Sequence, residues 1–415
     1  MAMLGFCKPV SSKKRFIPFR EINSDFSFTL FDRASKVNKE EWRSVTKDAS
    51  VFLNINYLQL LESVENTNVL SRYIIVYNHK IPCGIIYFQI VDFRVEVVGN
   101  ILENNEENTK STKNNFFKKY IDTNKDATLL RLFTCGNNLV SGEHGFLFLP
   151  ELVAEIQTEL LLQIIEVISK EEKLNGVFSA ILIKDFEQPL KPNNLLKKEG
   201  YTEFLVEPNL VVTLPESITT IEDYIQLFSK KYRNRAKTIL KKGLVISQTA
   251  LKLEDIKLLE NEMYQLYENI YERAKFKLLK LPKNYFLEVK KLFPDKFSII
   301  GFFLNDKLVA FNSCFILNDS TLEAHYIGLD YKLNNQYEMY QNSLYCIIST
   351  AITHKKHKVN LGRTAAEIKT TVGAKAQNLI CYLKPQNTLS KIVQKPFINF
   401  LKPSAFVARN PFKEE

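Results

Sequence analysis

Apolar positions recur along the chain at two spacings. The helical spacing appears three times over long stretches: Leu152, Ile156, Leu160, Ile164 and Ile168; Ile256, Leu259, Met263, Leu266 and Ile270; and Tyr337, Tyr340, Leu344, Ile347, Ile348 and Ala351. Each predicts an amphipathic helix with one face in a core. Two shorter helices are predicted around Trp42 in Glu40 to Val45, and over Tyr57, Leu58, Leu61 and Val64. Between them lie β-rich runs bounded by turn residues. Tyr73 to Tyr77 and Ile81 to Ile90 flank Asn78-His79-Lys80, and Phe297 to Leu304 and Leu308 to Leu317 flank Asn305-Asp306-Lys307. Both read as hairpins. Further strands are expected at Leu129 to Cys135, Gly176 to Ile183, the stretch ending at Leu214, Thr321 to Leu329 after Asn318-Asp319-Ser320, Lys358 to Leu361, and a last one through Leu383.

The two halves repeat one order: helices, a hairpin with an Asn-x-Lys turn, a strand, a long helix, a strand, a Gly-containing turn and a final strand. Self-similarity of this kind indicates a duplicated module. Hairpins beside a strand–helix–strand crossover imply a mixed β-sheet flanked by helices, an α/β (α+β) class. A chain of 415 residues accommodates two such domains. The expected division is an N-terminal arm over 1–27, a first domain over 28–215, a second over 216–387 and a basic, apolar tail over 388–415. The segment Ile101 to Lys119, rich in Asn, Glu and Lys, reads as a surface loop or short exposed helix.

Composition narrows the class. Hydrophobic residues are 45% and charged residues 25%, with 30 Phe and 18 Tyr, which suits a packed globular chain. The helix over Leu149 to Ile168 is interrupted by Glu151, Glu155, Glu159 and Glu166, so it reads as a core helix with a wet edge. No apolar run reaches the ~18 residues a bilayer span needs, and the basic residues of the N-terminus follow its short apolar piece, unlike a signal peptide. Six cysteines without C-x-x-C spacing and only five histidines point to reduced, buried thiols of a cytoplasmic protein, with no metal site expected.

The net charge of +10 favours an acidic partner. Its densest source is FSKKYRNRAKTILKKG, Phe228 to Gly243. Lys230, Arg233, Lys237 and Lys241 form one stripe, widened by Lys231, Arg235 and Lys242, while Tyr232, Ala236, Ile239 and Leu240 supply a buried side. Seven cations within thirteen residues, with no acid among them, suit a nucleic-acid backbone or anionic headgroups. The tail from Lys391 to Arg409 also mixes basic and apolar residues, fit to rest on a membrane surface or to pack across the fold. No helix-turn-helix or zinc-finger spacing points to sequence-specific DNA binding.

LGRTAAEIKTTVGAK, Leu361 to Lys375, begins at the end of a short strand and runs through a helical turn into the final strand. With the GLDYKLNNQYEMYQNSLYCIISTAITHKK before it and the basic segment at 228–243, it resembles the second domain of the Fem-type branch of the GNAT superfamily. The match covers about residues 220 to 385, and the first half by pattern. The resemblance implies two tandem GNAT-like domains and transfer of an acyl or aminoacyl group to an amine, such as an amino lipid or a peptidoglycan precursor. It implies no permanently bound cofactor, with acyl-CoA, an acyl carrier protein thioester or aminoacyl-tRNA as co-substrate. Lipid-linked substrates, tRNA and a peripheral position at the inner face of the membrane follow as expected partners and place. The reacting thioester is expected beside Glu323 to Leu329.

Several residues could carry that chemistry. Glu323, His325 and Tyr326 are candidate bases; strand alternation sends His325 and Tyr326 to opposite faces, so one of them is expected in the cleft. Asn334 and Asn335 could cap the next helix where a donor phosphate would lie. Lys369 and Gly373 match the branch's Lys and Gly, and Lys369 could hold a phosphate or carboxylate as a point charge. Arg363 stands at a strand end, with an ion pair to Glu367 as its plainer role. Arg233, Arg235 and Lys237 are candidates for the substrate or donor. The acetyl-CoA loop, with its x-x-G-x-G/A pattern, is absent between Asp330 and Tyr337, where no Gly occurs. A Gly-bearing loop at Gly136, Gly142 and Gly145, holding Glu143 and His144, could approach phosphates or be a plain tight loop. The alternative to an enzyme is a non-catalytic module binding RNA or anionic lipid through residues 230–242.

Overall fold

The computed structural model describes residues 17–47, 49–63, 68–94, 129–172, 178–274, 279–318 and 320–413. Val64, segment 101–119, Gly176 and Asp319, all used above, lie outside them, as does Cys7, one of the six cysteines. In order, the elements are β1 Ile17–Glu21, β2 Phe26–Phe31, α1 Lys39–Thr46, α2 Ile55–Ser63, β3 Val69–Asn78, β4 Ile81–Arg94, β5 Leu129–Cys135, β6 Phe146–Phe148, α3 Ala154–Glu171, β7 Phe178–Phe186, α4 Asn193–Lys198 and β8 Thr202–Thr213. There follow α5 Ile221–Gln226, α6 Lys230–Gly243, β9 Ser247–Ala250, α7 Leu253–Leu258, α8 Glu260–Tyr271, α9 Tyr285–Leu292, β10 Phe297–Leu304, β11 Lys307–Ile316, β12 Thr321–Leu329, α10 Tyr331–Tyr337, α11 Met339–Thr353, β13 Lys358–Asn360, α12 Ala366–Thr370, β14 Lys375–Pro385 and α13 Thr388–Leu401.

Two compact units emerge, each with a mixed sheet and helices. The first comprises residues up to Glu207 together with Asn378–Pro403. Its strands run β1-β2-β3-β4-β5-β7-β14, with β6 added to β4. All these pairs are antiparallel except β5 with β7, whose parallel register runs from Leu130↔Phe178 to Cys135↔Ile183. Helix α3 buries Leu160, Leu161, Ile164, Ile165 and Ile168 against Ile86, Phe88, Phe133 and Ile181. The predicted stripe drifts, because a true helix turns 100° per residue: Ile156 is exposed and Leu152 precedes the helix.

The second unit comprises Pro208–Gln377 and Ser404–Glu415. Its strands run β8-β13-β12-β11-β10-β9, with β12 and β13 parallel. Helices α5, α6 and α11 bury Tyr224, Ile239, Leu344, Ile347 and Ile348 with Leu210, Val212 and Val359 of the sheet.

The boundaries differ from the sequence division. Residues 17–27 of the expected arm hold β1 and the start of β2. The first joint falls at Glu207, inside β8, because Val211 to Thr213 pair with β13. The tail divides: Ser390 at the start of α13 accepts the Ser179 backbone N–H in the first unit, and Phe412 packs in the core of the second. The single helix expected over 256–270 breaks at Leu259 into α7 and α8. No helix among the described residues is long and apolar enough to cross a membrane.

Candidate active site

The two units treat their parallel strand pair differently. In the first, β5 and β7 stay in register over six residue pairs. In the second, β12 and β13 are in register over three, Thr321↔Lys358 to Glu323↔Asn360, and from Ala324 onward β12 pairs with β11 alone among the described residues. Beyond β13 the chain stays with β8: Leu361 donates to Leu210 O, and Leu210 donates to Gly362 O. Asn360 Oδ1 takes the Gly362 N–H at 2.9 Å, and Gly362, Thr364 and Ala365 all adopt positive φ. Left-handed backbone at two non-glycine residues costs about 1–3 kcal/mol each, so packing holds this turn open. The outcome is a fork, with an unladdered edge of β12 on one side.

At the base of the fork sit three buried polar side chains. Asn360 Nδ2 donates to Glu323 Oε1 at 3.1 Å. Lys369, on the short helix α12, is 4% exposed. Its Nζ donates to Gly362 O at 3.2 Å and to Arg363 O at 2.6 Å. Burial pushes this ammonium down to about 7, against the opposing pull of the Glu323 carboxylate. A neutral lysine amine has two N–H bonds, and both find carbonyls here, leaving its lone pair over. Tertiary packing sinks Lys369, expected to hold a phosphate or carboxylate as a point charge, behind the turn and sets its N–H groups on backbone carbonyls.

His325 and Tyr326 do not point to opposite faces. The β11–β12 register slips between Asn312↔Ile327 and Cys314↔Ala324, so His325 and Tyr326 together face Ser313. The buried Ser313 hydroxyl fills this bulge, donating to Tyr326 O at 2.8 Å and lying 3.0 Å from Tyr326 N. A bulge breaks the two-residue alternation. Both rings consequently pack on Tyr285 of α9, with centroids at 5.7 and 6.2 Å. His325 Nε2 lies 2.7 Å from Tyr285 Oη. Burial among Phe297, Phe315 and Tyr285 pushes the His325 imidazolium down to about 3, so the ring is neutral near pH 7.

Glu338, at the N-cap of helix α11, is left-handed (φ 50°). Asn334 lies within α10, not at a helix start, yet its Oδ1 accepts the Tyr340 backbone N–H at 3.0 Å. It thus takes one of the donors that an anion would need. Asn335 is exposed, and Asp330 caps α10 by accepting the Lys332 N–H.

Arg363 is half-buried, with its carbonyl on Lys369. It precedes α12, and Glu367 on that helix pairs with Arg409. Gly373 (φ +96°) is a packing position, since a Cβ there would meet Tyr224 Oη at 2.3 Å and Phe412 Cζ at 2.8 Å. On α6, Lys230, Lys231, Arg235, Lys237, Lys241 and Lys242 are exposed, as the pattern predicts. Arg233 Nη1 donates to Gln226 Oε1, and Arg235 Nη2 to Gln341 Oε1, each at 3.4 Å.

In the first unit the Gly-bearing loop closes on its own chain. Lys184 Nζ donates to Asn137 O, Val140 O and Glu143 O and pairs with Asp185 at 2.6 Å. A Cβ at Gly136 would meet Lys184 Cγ at 2.9 Å. Glycine here makes room for a lysine stem. Glu143 and His144 are not on an open surface: burial raises the Glu143 carboxyl to about 7 and lowers His144 to about 4, its ring stacked on Phe186.

Sequence reasoning missed Tyr285, Asn360 and Ser313. Pro282 before an apolar run was a signal for α9; nothing local marks the bulge.

No protein-family model and no curated protein sequence matches the chain. Among solved structures, one of FemX aligns over 87% of this chain and 98% of its own, at 11% identity and a TM-score of 0.51. A tandem GNAT protein from the clavulanic acid biosynthesis pathway aligns over 87% and 98% (8% identity, TM-score 0.47), and L-PGS from Bacillus licheniformis over 88% and 95% (11% identity, TM-score 0.45). The likeness to the FemX structure is one of fold alone.

Proposed function

We propose that the second unit transfers an acyl or aminoacyl group to an amine, with the reacting carbonyl beside the edge of β12 that β13 leaves. The observation that carries this reading is the fork over Glu323, Asn360 and Lys369, present in the second unit and zipped shut in the first. A strand edge that its parallel neighbour leaves suits the approach of the carbonyl in acyl transfer, where backbone N–H groups can meet the oxyanion. The C–N bond forms, the C–S or C–O bond to the donor breaks, and an ammonium acceptor gives up two protons. One leaves with the departing thiol or hydroxyl. The other needs a base, and Lys369, with a pKa of about 7 and a spare lone pair, fits that task, with Glu323 beside it. His325, neutral and hydrogen-bonded to Tyr285, serves as part of the wall that orients the acceptor. The thioester or aminoacyl-tRNA donor and the amino-lipid or peptidoglycan-precursor acceptor belong to this proposal. The name FemX, of a protein of similar fold, is compatible with it.

The test is transfer of radiolabel from acyl-CoA, acyl carrier thioester or aminoacyl-tRNA to an amine-bearing extract. Transfer that rises with pH through about 7, and drops about 100-fold or more in Lys369→Met, supports the assignment. Transfer by Lys369→Met at the parent rate removes Lys369 from the reaction.

A second reading is a non-catalytic module that binds through α6. Asn334 favours it, because it occupies an N–H that a CoA phosphate would use. Absence of transfer from all three donors, with retained polyanion binding, selects this reading.

A further inference from the structure

We infer that α6 and the two residues after it form a docking face for an anionic membrane surface. This goes beyond the transfer reaction and does not depend on it. Lys230, Lys237, Lys241 and Leu244 stand at i, i+7, i+11 and i+14, so the cationic stripe ends on an apolar side chain. Leu244 continues right-handed helical backbone at the C-cap, which keeps it on that stripe. It is 79% exposed, and Val245 beside it is 60% exposed, while the next residue, Ile246, is buried. Large apolar side chains so open to water, next to a row of lysines, have no role in the core. An interfacial element has this composition: cations attracted to lipid phosphates and aliphatic groups that enter the headgroup boundary. A nucleic-acid backbone would use the lysines and leave Leu244 and Val245 wet, so the pair favours lipid.

The face is rigidly mounted. Gly243 lets the helix end approach Asn342 of α11 so closely that a Cβ would sit 2.8 Å from its Oδ1, and Asn342 Nδ2 donates to Ile239 O at 3.0 Å. Lys242 pairs with Glu338 at 2.9 Å. The face therefore cannot move apart from the helix that follows β12 and α10.

The experiment is sedimentation of the full chain with vesicles of phosphatidylcholine alone or mixed with phosphatidylglycerol, at low and high salt. The expected result is binding to the mixed vesicles only, weakened by salt. Leu244→Ser with Val245→Ser should lower partitioning about tenfold, as should Lys237→Glu with Lys241→Glu, with melting temperatures unchanged because all four side chains are exposed. A duplex RNA is the competing probe. No binding to mixed vesicles overturns the inference. So does vesicle binding indifferent to the Leu244 and Val245 changes, or RNA binding without vesicle binding.

Discussion

Tyr285 Oη lies 2.7 Å from His325 Nε2, joining α9 to the bulge of β12. The bond fixes a ring that burial keeps neutral. Tyr285→Phe should cost about 1–2 kcal/mol in denaturant unfolding, since it leaves a buried imidazole nitrogen short of a partner. NMR of the parent should show no His325 titration between pH 5 and 8; an inflection in that range would contradict the aromatic burial of the ring.

Lys369 offers a test through stability. Its folded pKa, about 7, lies below its ordinary 10.5. The unfolded chain therefore binds more protons between these values, and stability rises with pH across that window. Below pH 7 the penalty of burying the charge is complete. Lys369→Met should be most favourable relative to the parent at pH 7 and below, and lose that advantage toward pH 10.5 by about 1.4 kcal/mol per unit of pKa difference. A margin constant with pH would show that Lys369 is not depressed.

Glu143 and His144 should pull stability in opposite directions. The Glu143 pKa is raised from 4.5 to about 7, so stability falls as pH rises across that interval. The His144 pKa is lowered from 6.5 to about 4, so stability rises with pH there. Glu143→Gln removes the falling slope. The variant should exceed the parent above pH 7, with the margin vanishing near pH 4.5 in pH-resolved melts.

Gly373→Ala should destabilise the second unit by roughly 2–4 kcal/mol, because it combines positive φ with a Cβ on Tyr224 and Phe412. Shortening the neighbour in the double variant with Tyr224→Phe should recover part of the loss. A neutral single change would contradict the packing role of Gly373.

The strands Leu129–Cys135, Phe297–Leu304 and Thr321–Leu329 were legible to the residue, because β-branched and aromatic runs ended at clear turns. The polar helix α10, which buries no residue fully, carried no period to read. The site was half legible. Glu323, His325, Tyr326 and Lys369 were named, but the pairing of His325 with Tyr326 on one side was not, since a bulge depends on the register of the neighbouring strand.

The sequence by itself determined the repeated order of elements, the mixed sheets, the cationic face of α6 and the residues near the fork, because periodicity and local charge are properties of neighbours along the chain. Only the tertiary structure decided that β12 and β13 part after three pairs while β5 and β7 do not, and that Lys369 is buried and Asn334 already occupied. Hydrogen-bond register and desolvation arise between segments far apart in sequence, and no local pattern encodes them.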